Sequence, residues 1–266
     1  MRIALGVEYD GAAFCGWQTQ PEGCGVQDAI ERALGEVAAH EVKTVCAGRT
    51  DACVHAVCQV VHFDTEADRP MSAWVRGVNA VLPRTVAVRW ARGVGEDFHA
   101  RFSALSRQYR YYLLNRNQRA GLFAQYVGWF HSPLDEALMR DGSQSLIGEH
   151  DFSAFRSVDC QAASPVRTIY ALQIERRGDL LCFELTANAY LQHMVRNIVG
   201  ALVYVGCGRQ QPGWIGELLE QRDRSRAAPT FSPNGLYLNA VSYAAHWDLP
   251  GVPEGAPASV LPVVSG

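Results

Sequence analysis

Residues 42–63 read VKTVCAGRTDACVHAVCQVVHF, and this stretch decides the predicted fold. Val42–Ala47 and Val57–Phe63 are rich in β-branched and apolar residues, a composition typical of strands. Between them lies the nine-residue link Gly48–Ala56, in which small residues surround an arginine and an aspartate. Because functional side chains concentrate in loops that a rigid scaffold positions, this link is the first candidate for chemistry.

The same alternation of strands and helices extends along the chain in both directions. Apolar spacing predicts strands over Ile3–Tyr9, Thr85–Ala91, Tyr109–Asn115, Arg167–Glu175 and Leu180–Ala187, and helices over 26–37, Ala73–Ala80, Asp135–Leu146 and Leu191–Val205. The second half repeats the element order of the first. The pattern therefore predicts an α+β fold of two similar α/β domains in tandem, residues 1–103 and 104–248, with mainly antiparallel sheets. Residues 249–266, rich in proline and small residues, are predicted to be a mobile tail.

Composition excludes several classes of protein. With 266 residues, 48% apolar residues and 19% charged residues, the chain is a globular protein and neither fibrous nor disordered. The net charge of -3 argues against a protein that coats nucleic acid indiscriminately. Lys43 is the only lysine among 24 basic residues, so arginine supplies almost all of the positive charge.

Cysteine and histidine usage predicts neither a metal site nor export. The eight cysteines form no CxxC pair and the eight histidines form no ladder with zinc-ligand spacing. The N-terminus runs straight into a predicted strand, without the features of a secretory signal. Polar residues interrupt the longest apolar stretch, within 191–205, which is too short to span a bilayer. We expect a cytoplasmic protein with reduced thiols and no membrane association.

An acidic-free segment, Phe98–Leu134, contains no Asp or Glu but five arginines and nine aromatic residues. Tyr109 and Tyr111 alternate with Arg110 on a predicted strand, so the two tyrosines share a face and Arg110 takes the other. Stacking combined with guanidinium contacts is the chemistry that recognises single-stranded or flipped bases. Packing in the core is the alternative for most of these aromatic residues.

The predicted helix over 191–205 has a continuous apolar stripe, with Arg196, Asn197 and Gly200 on the opposite, polar face. Arg196 is either solvated or pairs with a buried carboxylate. Gly200 would permit close approach of another element, although glycine costs a helix about 1 kcal/mol.

Asp51 lies among alanines and glycine, so a bulky substrate could reach its carboxylate. The alternative is a turn aspartate that bonds its own backbone. Arg49 offers a charge partner or a phosphate contact. His55 could be a general base, but spacing identifies no nucleophile for it. Glu8 and Asp10 could form the paired carboxylates of a glycosidase.

The link Gly48–Ala56 resembles the catalytic loop of the tRNA pseudouridine synthase A family, and further motifs that resemble this family follow in family order. They are Gly6–Gly11, Gly16–Gln18, Asn79–Pro83, Asp97–Ala104, Tyr109–Tyr111, His193–Gly200 and Gly235–Leu238. The matches span about residues 3–243. An ordered series of this kind is far more specific than any single motif.

The resemblance implies an isomerase that converts uridine to pseudouridine at positions 38, 39 and 40 of the tRNA anticodon arm. It implies a homodimer with tRNA as its substrate and no cofactor or metal. Asp51 is then the nucleophile and Arg196 pairs with this aspartate. Arg49 takes part in base flipping, and Tyr109 binds the substrate by stacking on the target base. Whether Asp51 attacks C1′ or C6, or abstracts a ribose proton, stays open.

Two departures from the family pattern stand out. Cys53 replaces the usual glycine after Asp-Ala, which would cost about 1 to 2 kcal/mol if that position needs a positive φ. Ala228–Asn234 differs from the usual approach to Gly-Leu-Tyr-Leu. We expect neither departure to touch Asp51, Tyr109 or Arg196.

The competing hypotheses are a non-catalytic RNA-binding module built on the acidic-free segment, and a glycosidase or nucleosidase that uses Glu8 and Asp10.

Overall fold

The structure is a computed structural model that describes residues 1–251, so most of the predicted mobile tail, from residue 252 on, lies outside the described residues. The first elements are β1 (Arg2–Tyr9), α1 (Val26–Ala38), β2 (Thr44–Cys46), β3 (His55–Asp64), α2 (Met71–Val81) and β4 (Val86–Val94). They are followed by β5 (Ala104–Asn115), β6 (Gly128–Phe130), α3 (Glu136–Gln144), β7 (Gly148–Asp151), β8 (Val166–Arg177), β9 (Leu180–Ala187), α4 (Met194–Gly206), α5 (Trp214–Gln221) and β10 (Leu236–Tyr243).

The chain divides into two compact units: Met1–Leu105 together with the described chain from Tyr237 onward, and Ser106–Leu236. In the first unit β1 pairs antiparallel with β3 and β4, β2 pairs antiparallel with β3, and β10 runs parallel to β3. In the second, β5, β9, β8 and β7 pair antiparallel in that order, and β6 runs parallel to β5. The predicted α+β fold with mainly antiparallel sheets is confirmed. The predicted second domain, 104–248, included β10, whereas the structure groups β10 from Tyr237 with the first unit.

The core of the first unit follows from the apolar runs of its central strands. Nine of the ten residues of β3 and six of the eight residues of β1 are buried, as expected for strands covered on both faces. The ring of Phe63 on β3 packs against that of Trp74 on α2, with ring centroids 5.2 Å apart. At the start of α1 the Asp28 carboxylate accepts a hydrogen bond from the Gly25 N–H at 2.9 Å, which satisfies one of the unpaired N–H groups near the helix N-terminus.

Helix α4 lies in the core of the second unit. The prediction that this helix has a polar face is wrong. Asn197 and Gly200 are buried along with the apolar stripe. The Asn197 amide donates to the Phe155 carbonyl at 2.8 Å, so its burial is satisfied. A Cβ at Gly200 would lie 2.6 Å from the Pro229 carbonyl oxygen, which confirms the predicted close approach of another element.

Four elements escaped the sequence patterns: β6, β7, α5 and β10, the last of which has eight residues. β6 and β7 have three and four residues, too few for alternation to be recognised, and α5 has eight. α4 begins at Met194 rather than Leu191, because His193 adopts a left-handed φ of 64° immediately before the helix.

Within the described chain, no helix combines the length and apolar character needed to cross a membrane.

The expectation of reduced thiols is wrong for one pair, because Cys15 and Cys24 form a disulfide with Cα atoms 5.5 Å apart. The loop between them folds back, and the Cys15 N–H donates to the Cys24 carbonyl at 3.0 Å. A search for CxxC spacing could not find this pair, since the two residues lie nine positions apart.

We predict that reduction of this disulfide lowers the free energy of unfolding by about 2.5 kcal/mol, the loop-entropy value for a short closed loop. The measurement is urea unfolding with and without dithiothreitol. The Cys15→Ser/Cys24→Ser double variant is the control, because reductant should not change its unfolding. Identical unfolding curves for the wild type under both conditions would contradict the prediction.

Candidate active site

Asp51 lies in the loop between β2 and β3, on the link predicted as 48–56. The loop is shorter than predicted, because His55 and Ala56 already belong to β3. It ends in a tight turn in which the Val54 N–H donates to the Asp51 carbonyl at 3.2 Å. Arg49 is exposed, Asp51 is half-buried and Thr50 between them is buried. The two charged residues thus flank a threonine that anchors the loop in the protein.

Backbone groups of this loop are held by the rest of the first unit. The buried Gln59 side chain donates to the Gly48 carbonyl at 2.6 Å. The Trp17 N–H donates to the Thr50 carbonyl at 2.9 Å. The hydroxyl groups of Tyr9 and Thr50 form a hydrogen bond of 2.7 Å. Residues that support the loop therefore come from β1, β3 and the segment after β1, which spacing in the sequence could not reveal.

Gly16 packs directly against the backbone of the loop. Its φ is 104°, and a Cβ at this position would lie 3.0 Å from the Thr50 carbonyl oxygen and 3.2 Å from the Asp51 carbonyl carbon. Only glycine meets both conditions, because an L side chain is disfavoured at this φ and would press on the loop. The Gly16–Gln18 motif thus supports the aspartate loop.

Cys53 adopts a φ of 64°, so the position does require the left-handed conformation. Glycine adopts this conformation freely, whereas an L residue does so at a cost of about 1 to 2 kcal/mol. The departure from the family pattern therefore places a strained residue in the turn that follows Asp51.

We predict that Cys53→Gly raises the free energy of unfolding by about 0.5 to 1 kcal/mol. The relief of about 1 to 2 kcal/mol exceeds the entropy that glycine adds to the unfolded chain, about 0.4 to 1 kcal/mol. Urea unfolding under reducing conditions measures the difference. Cys53→Ala is the control, because it removes the thiol but retains the strain. If both variants are equally stabilised, the thiol rather than the backbone is the cause.

Tyr109 lies on β5 of the second unit, opposite Leu185 of β9. It is buried, and its ring meets that of Tyr190 edge-on, with centroids 5.0 Å apart. The Tyr190 hydroxyl is buried without a hydrogen-bond partner among the described residues. Burial raises the pKa of Tyr190 well above its usual value, so this phenol stays protonated.

Arg196 is the third residue of α4 and is half-buried. Its Nε donates to the Phe231 carbonyl at 2.8 Å, and the Phe231 N–H donates back to the Arg196 carbonyl at 3.3 Å. Arg224 stabilises the segment that contains Phe231 by donating hydrogen bonds to the Ala228 carbonyl and the Thr230 hydroxyl. The expectation that Ala228–Asn234 does not touch Arg196 is therefore wrong, because this segment orients the guanidinium group.

In the folded structure, acidic side chains from other parts of the chain lie close to arginines of the acidic-free segment. Arg110 forms a salt bridge with Glu184 at 2.6 Å, and Arg116 lies 3.9 Å from Asp179. Arg107 is buried and donates to the Asn188 carbonyl. At the start of the segment, Phe102 is 76% exposed with the Arg101 guanidinium over its ring. Strand β9 and the turn before it thus neutralise part of the charge that the sequence places here.

The residues of the competing hypotheses have structural partners. Glu8 forms a salt bridge with Arg89 on β4. The Asp10 carboxylate accepts from the Ala12 N–H at 3.0 Å and caps a short helical turn. The His55 ring is buried, accepts from the Gly11 N–H at its Nδ1 atom and stacks on Tyr237. These contacts do not favour a glycosidase pair at Glu8 and Asp10 or a catalytic base at His55.

The four predicted site residues thus fall two in each unit. Arg49 and Asp51 share one loop of the first unit, while Tyr109 and Arg196 occupy β5 and the first turn of α4 in the second. In residues 1–251, no group of three or more His, Cys, Asp or Glu side chains is arranged to hold a metal ion.

Comparison with known proteins defines the class to which this scaffold and loop belong. The sequence model of a family described as tRNA pseudouridine synthase matches residues 6–103 and 143–244. Because this match covers more than half of the chain, the protein belongs to the tRNA pseudouridine synthase family.

Individual relatives are similar over nearly their whole length. The chain is 58% identical to tRNA pseudouridine synthase A of Dechloromonas aromatica (strain RCB) over 250 residues, which cover 94% of this chain and 95% of the relative. It is 59% identical to tRNA pseudouridine synthase A of Aromatoleum aromaticum over 251 residues, with the same coverage. Among solved structures, a chain of a Cbf5-Nop10-Gar1 complex matches 91% of this chain and 49% of its own length, at 11% identity and a TM-score of 0.36. This last likeness is too low to support any conclusion.

Proposed function

We propose that this protein is an isomerase that converts uridine to pseudouridine at positions 38, 39 and 40 of the tRNA anticodon arm. The observation that carries the proposal is the Asp51 loop, which is anchored at Gly48 and Thr50 and presents Asp51 among small residues. The family match and the relatives named tRNA pseudouridine synthase A support this reading.

Asp51 is the proposed nucleophile. The reaction breaks the N1–C1′ bond of uridine, turns the uracil while it stays bound, and joins C5 to C1′ with loss of the C5 proton. N1 takes up a proton in place of the one that C5 loses, so pseudouridine has the same composition as uridine and no electrons are gained or lost. A positioned carboxylate beside a nucleotide that has left the base stack meets the needs of this chemistry.

Arg196 is the proposed charge partner of the Asp51 carboxylate. A guanidinium group near a carboxylate favours its ionised form, which is the form that can act as a nucleophile. The hydrogen bonds between Arg196 and Phe231 support this role, because they orient the guanidinium group before substrate binds. An arginine suits such a site because its planar group pairs with a carboxylate through two parallel hydrogen bonds.

Tyr109 and Arg49 are the proposed substrate contacts. Tyr109 would stack on the target base, and the edge-on packing of Tyr190 supports this role by holding the Tyr109 ring in one orientation. Arg49 would assist base flipping, since it is exposed on the loop that carries Asp51 and has a guanidinium group suited to phosphate.

We further propose that the protein acts on tRNA in the cytoplasm as a homodimer. The resemblance to the family supports these assignments, and the reaction requires no cofactor or metal and no membrane.

Release of tritium by the wild-type protein tests this function. A tRNA labelled with tritium at uracil C5 should release its label to water as pseudouridine forms, because C5 loses its proton. Chromatography of the digested RNA should show pseudouridine and no free uracil. Tight binding of tRNA without release of label would instead favour a non-catalytic RNA-binding module, and free base would favour a nucleosidase.

A further inference from the structure

We propose that the hydrogen bond between Tyr9 and Thr50 sets the position of the Asp51 carboxylate, so that Tyr9 and Thr50 are positioning residues of the reaction. The inference rests on the proposed role of Asp51. The two hydroxyl oxygens lie 2.7 Å apart, and the residues are only 4% and 7% exposed. The bond joins residues that are 41 positions apart in the chain.

Thr50 is held at two points immediately before Asp51. Its side chain bonds Tyr9, and its carbonyl accepts from the Trp17 N–H at 2.9 Å. The Thr50 carbonyl belongs to the same planar peptide unit as the Asp51 nitrogen. Fixing this carbonyl and the Thr50 side chain therefore fixes the peptide plane that leads into Asp51 and where the Asp51 Cα lies.

The other end of the bond is rigid. Tyr9 is the last residue of β1 and pairs with Ala56 of β3 and Val86 of β4. Its ring also lies 5.9 Å from that of Trp17, the residue that holds the Thr50 carbonyl. The Tyr9 side chain thus connects the end of β1, a strand paired on both sides, to the residue that precedes Asp51.

The chemistry of the pair suits a positioning role better than a stabilising one. A buried hydrogen bond between neutral hydroxyl groups adds little net stability, because both groups lose water on folding. Its direction and length, by contrast, specify a single geometry. Displacing a reacting group by about 1 Å can lower a rate by about 100-fold, so a small shift of the loop is sufficient for a large effect.

Steady-state kinetics of tritium release from labelled tRNA test the proposal in the full-length protein. We expect Tyr9→Phe and Thr50→Val each to lower kcat by about 10- to 100-fold while KM changes less than about twofold. The Tyr9→Phe/Thr50→Val double variant should lose no more than the single variants, because one shared bond is removed in each. Thr50→Ser keeps the hydroxyl and should retain most of the activity.

Tyr243→Phe is the matched control, because it removes a tyrosine hydroxyl that donates to the Ala100 carbonyl in the same unit, outside the Asp51 loop. It should leave kcat unchanged. Unchanged kcat in Tyr9→Phe would overturn the proposal, as would equal losses of kcat in Tyr9→Phe and Tyr243→Phe. Loss in Thr50→Val with full activity in Tyr9→Phe would also overturn it, because Thr50 would then act without Tyr9.

Asp51→Asn separates this proposal from the function on which it rests. If Asp51→Asn retains full activity, the role of Asp51 is wrong. If Asp51→Asn is inactive and Tyr9→Phe is fully active, only the positioning role is wrong. Should Thr50→Val fail to fold, as thermal melting would reveal, Tyr9→Phe decides the question on its own.

Discussion

Asp51→Ala is expected to abolish tritium release from labelled tRNA, with a fall in rate on the order of 10⁴-fold or more. Loss of a nucleophile removes the covalent route, and the remaining groups supply only binding and orientation. Binding of tRNA should stay within about threefold of the wild type, because affinity for RNA comes mainly from contacts to phosphate. Single-turnover kinetics and filter binding measure the two effects separately.

Asp68→Ala is the matched control for this variant. Asp68 is an exposed carboxylate of the same unit, so its loss changes the net charge equally but leaves the loop intact. It should keep the wild-type rate. A comparable loss of rate in both variants would show that charge, rather than the position of Asp51, is responsible, and would contradict the assigned role.

Replacement of Arg196 is expected to have the second largest effect. Arg196→Ala should lower kcat by about 10²- to 10³-fold, because the proposed pairing with Arg196 positions the Asp51 carboxylate and favours its ionised form. Affinity for tRNA should change much less. Arg196→Lys should recover only part of the rate, since lysine keeps the charge but loses the planar donor group that bonds Phe231.

Two measurements identify the cause of that loss. Thermal melting of Arg196→Ala tests whether the contact with Phe231 is needed for folding. Arg226→Ala, which removes an exposed arginine from the same unit, should leave kcat unchanged. If Arg196→Ala raises KM strongly while kcat is unchanged, Arg196 binds RNA and does not support the aspartate.

Most of the long, strongly patterned elements could be predicted from the sequence, whereas β6, β7, α5 and the eight-residue β10 could not. The predicted ranges of β1, β3, β9 and α1 agree with the structure to within two residues at each end. β6 and β7 are too short to carry a period. The prediction of a polar face on α4 was wrong, because an asparagine is usually expected at the surface. In the structure Asn197 is buried, and its side-chain amide donates to the Phe155 carbonyl in the core.

The candidate site shows the same division. The small neighbours of Asp51 and its motif singled out this residue in the sequence. The strain at Cys53 could be predicted because the family usually has a glycine at that position. The supports of Asp51 could not, because Tyr9 and Trp17 come from distant parts of the chain. Gln59 lies on the next strand, and its contact with Gly48 forms only when the loop folds back. The contact between Phe231 and Arg196 was missed for the same reason.

Carbodiimide mapping of pseudouridine in a tRNA transcript treated with the purified wild-type protein tests the central claim most directly. The predicted result is new pseudouridine at positions 38, 39 or 40 of the anticodon arm where these are uridines, and none after treatment with Asp51→Ala. Unmodified uridine at all three positions after the wild-type reaction, or modification by Asp51→Ala at the wild-type rate, would contradict the account.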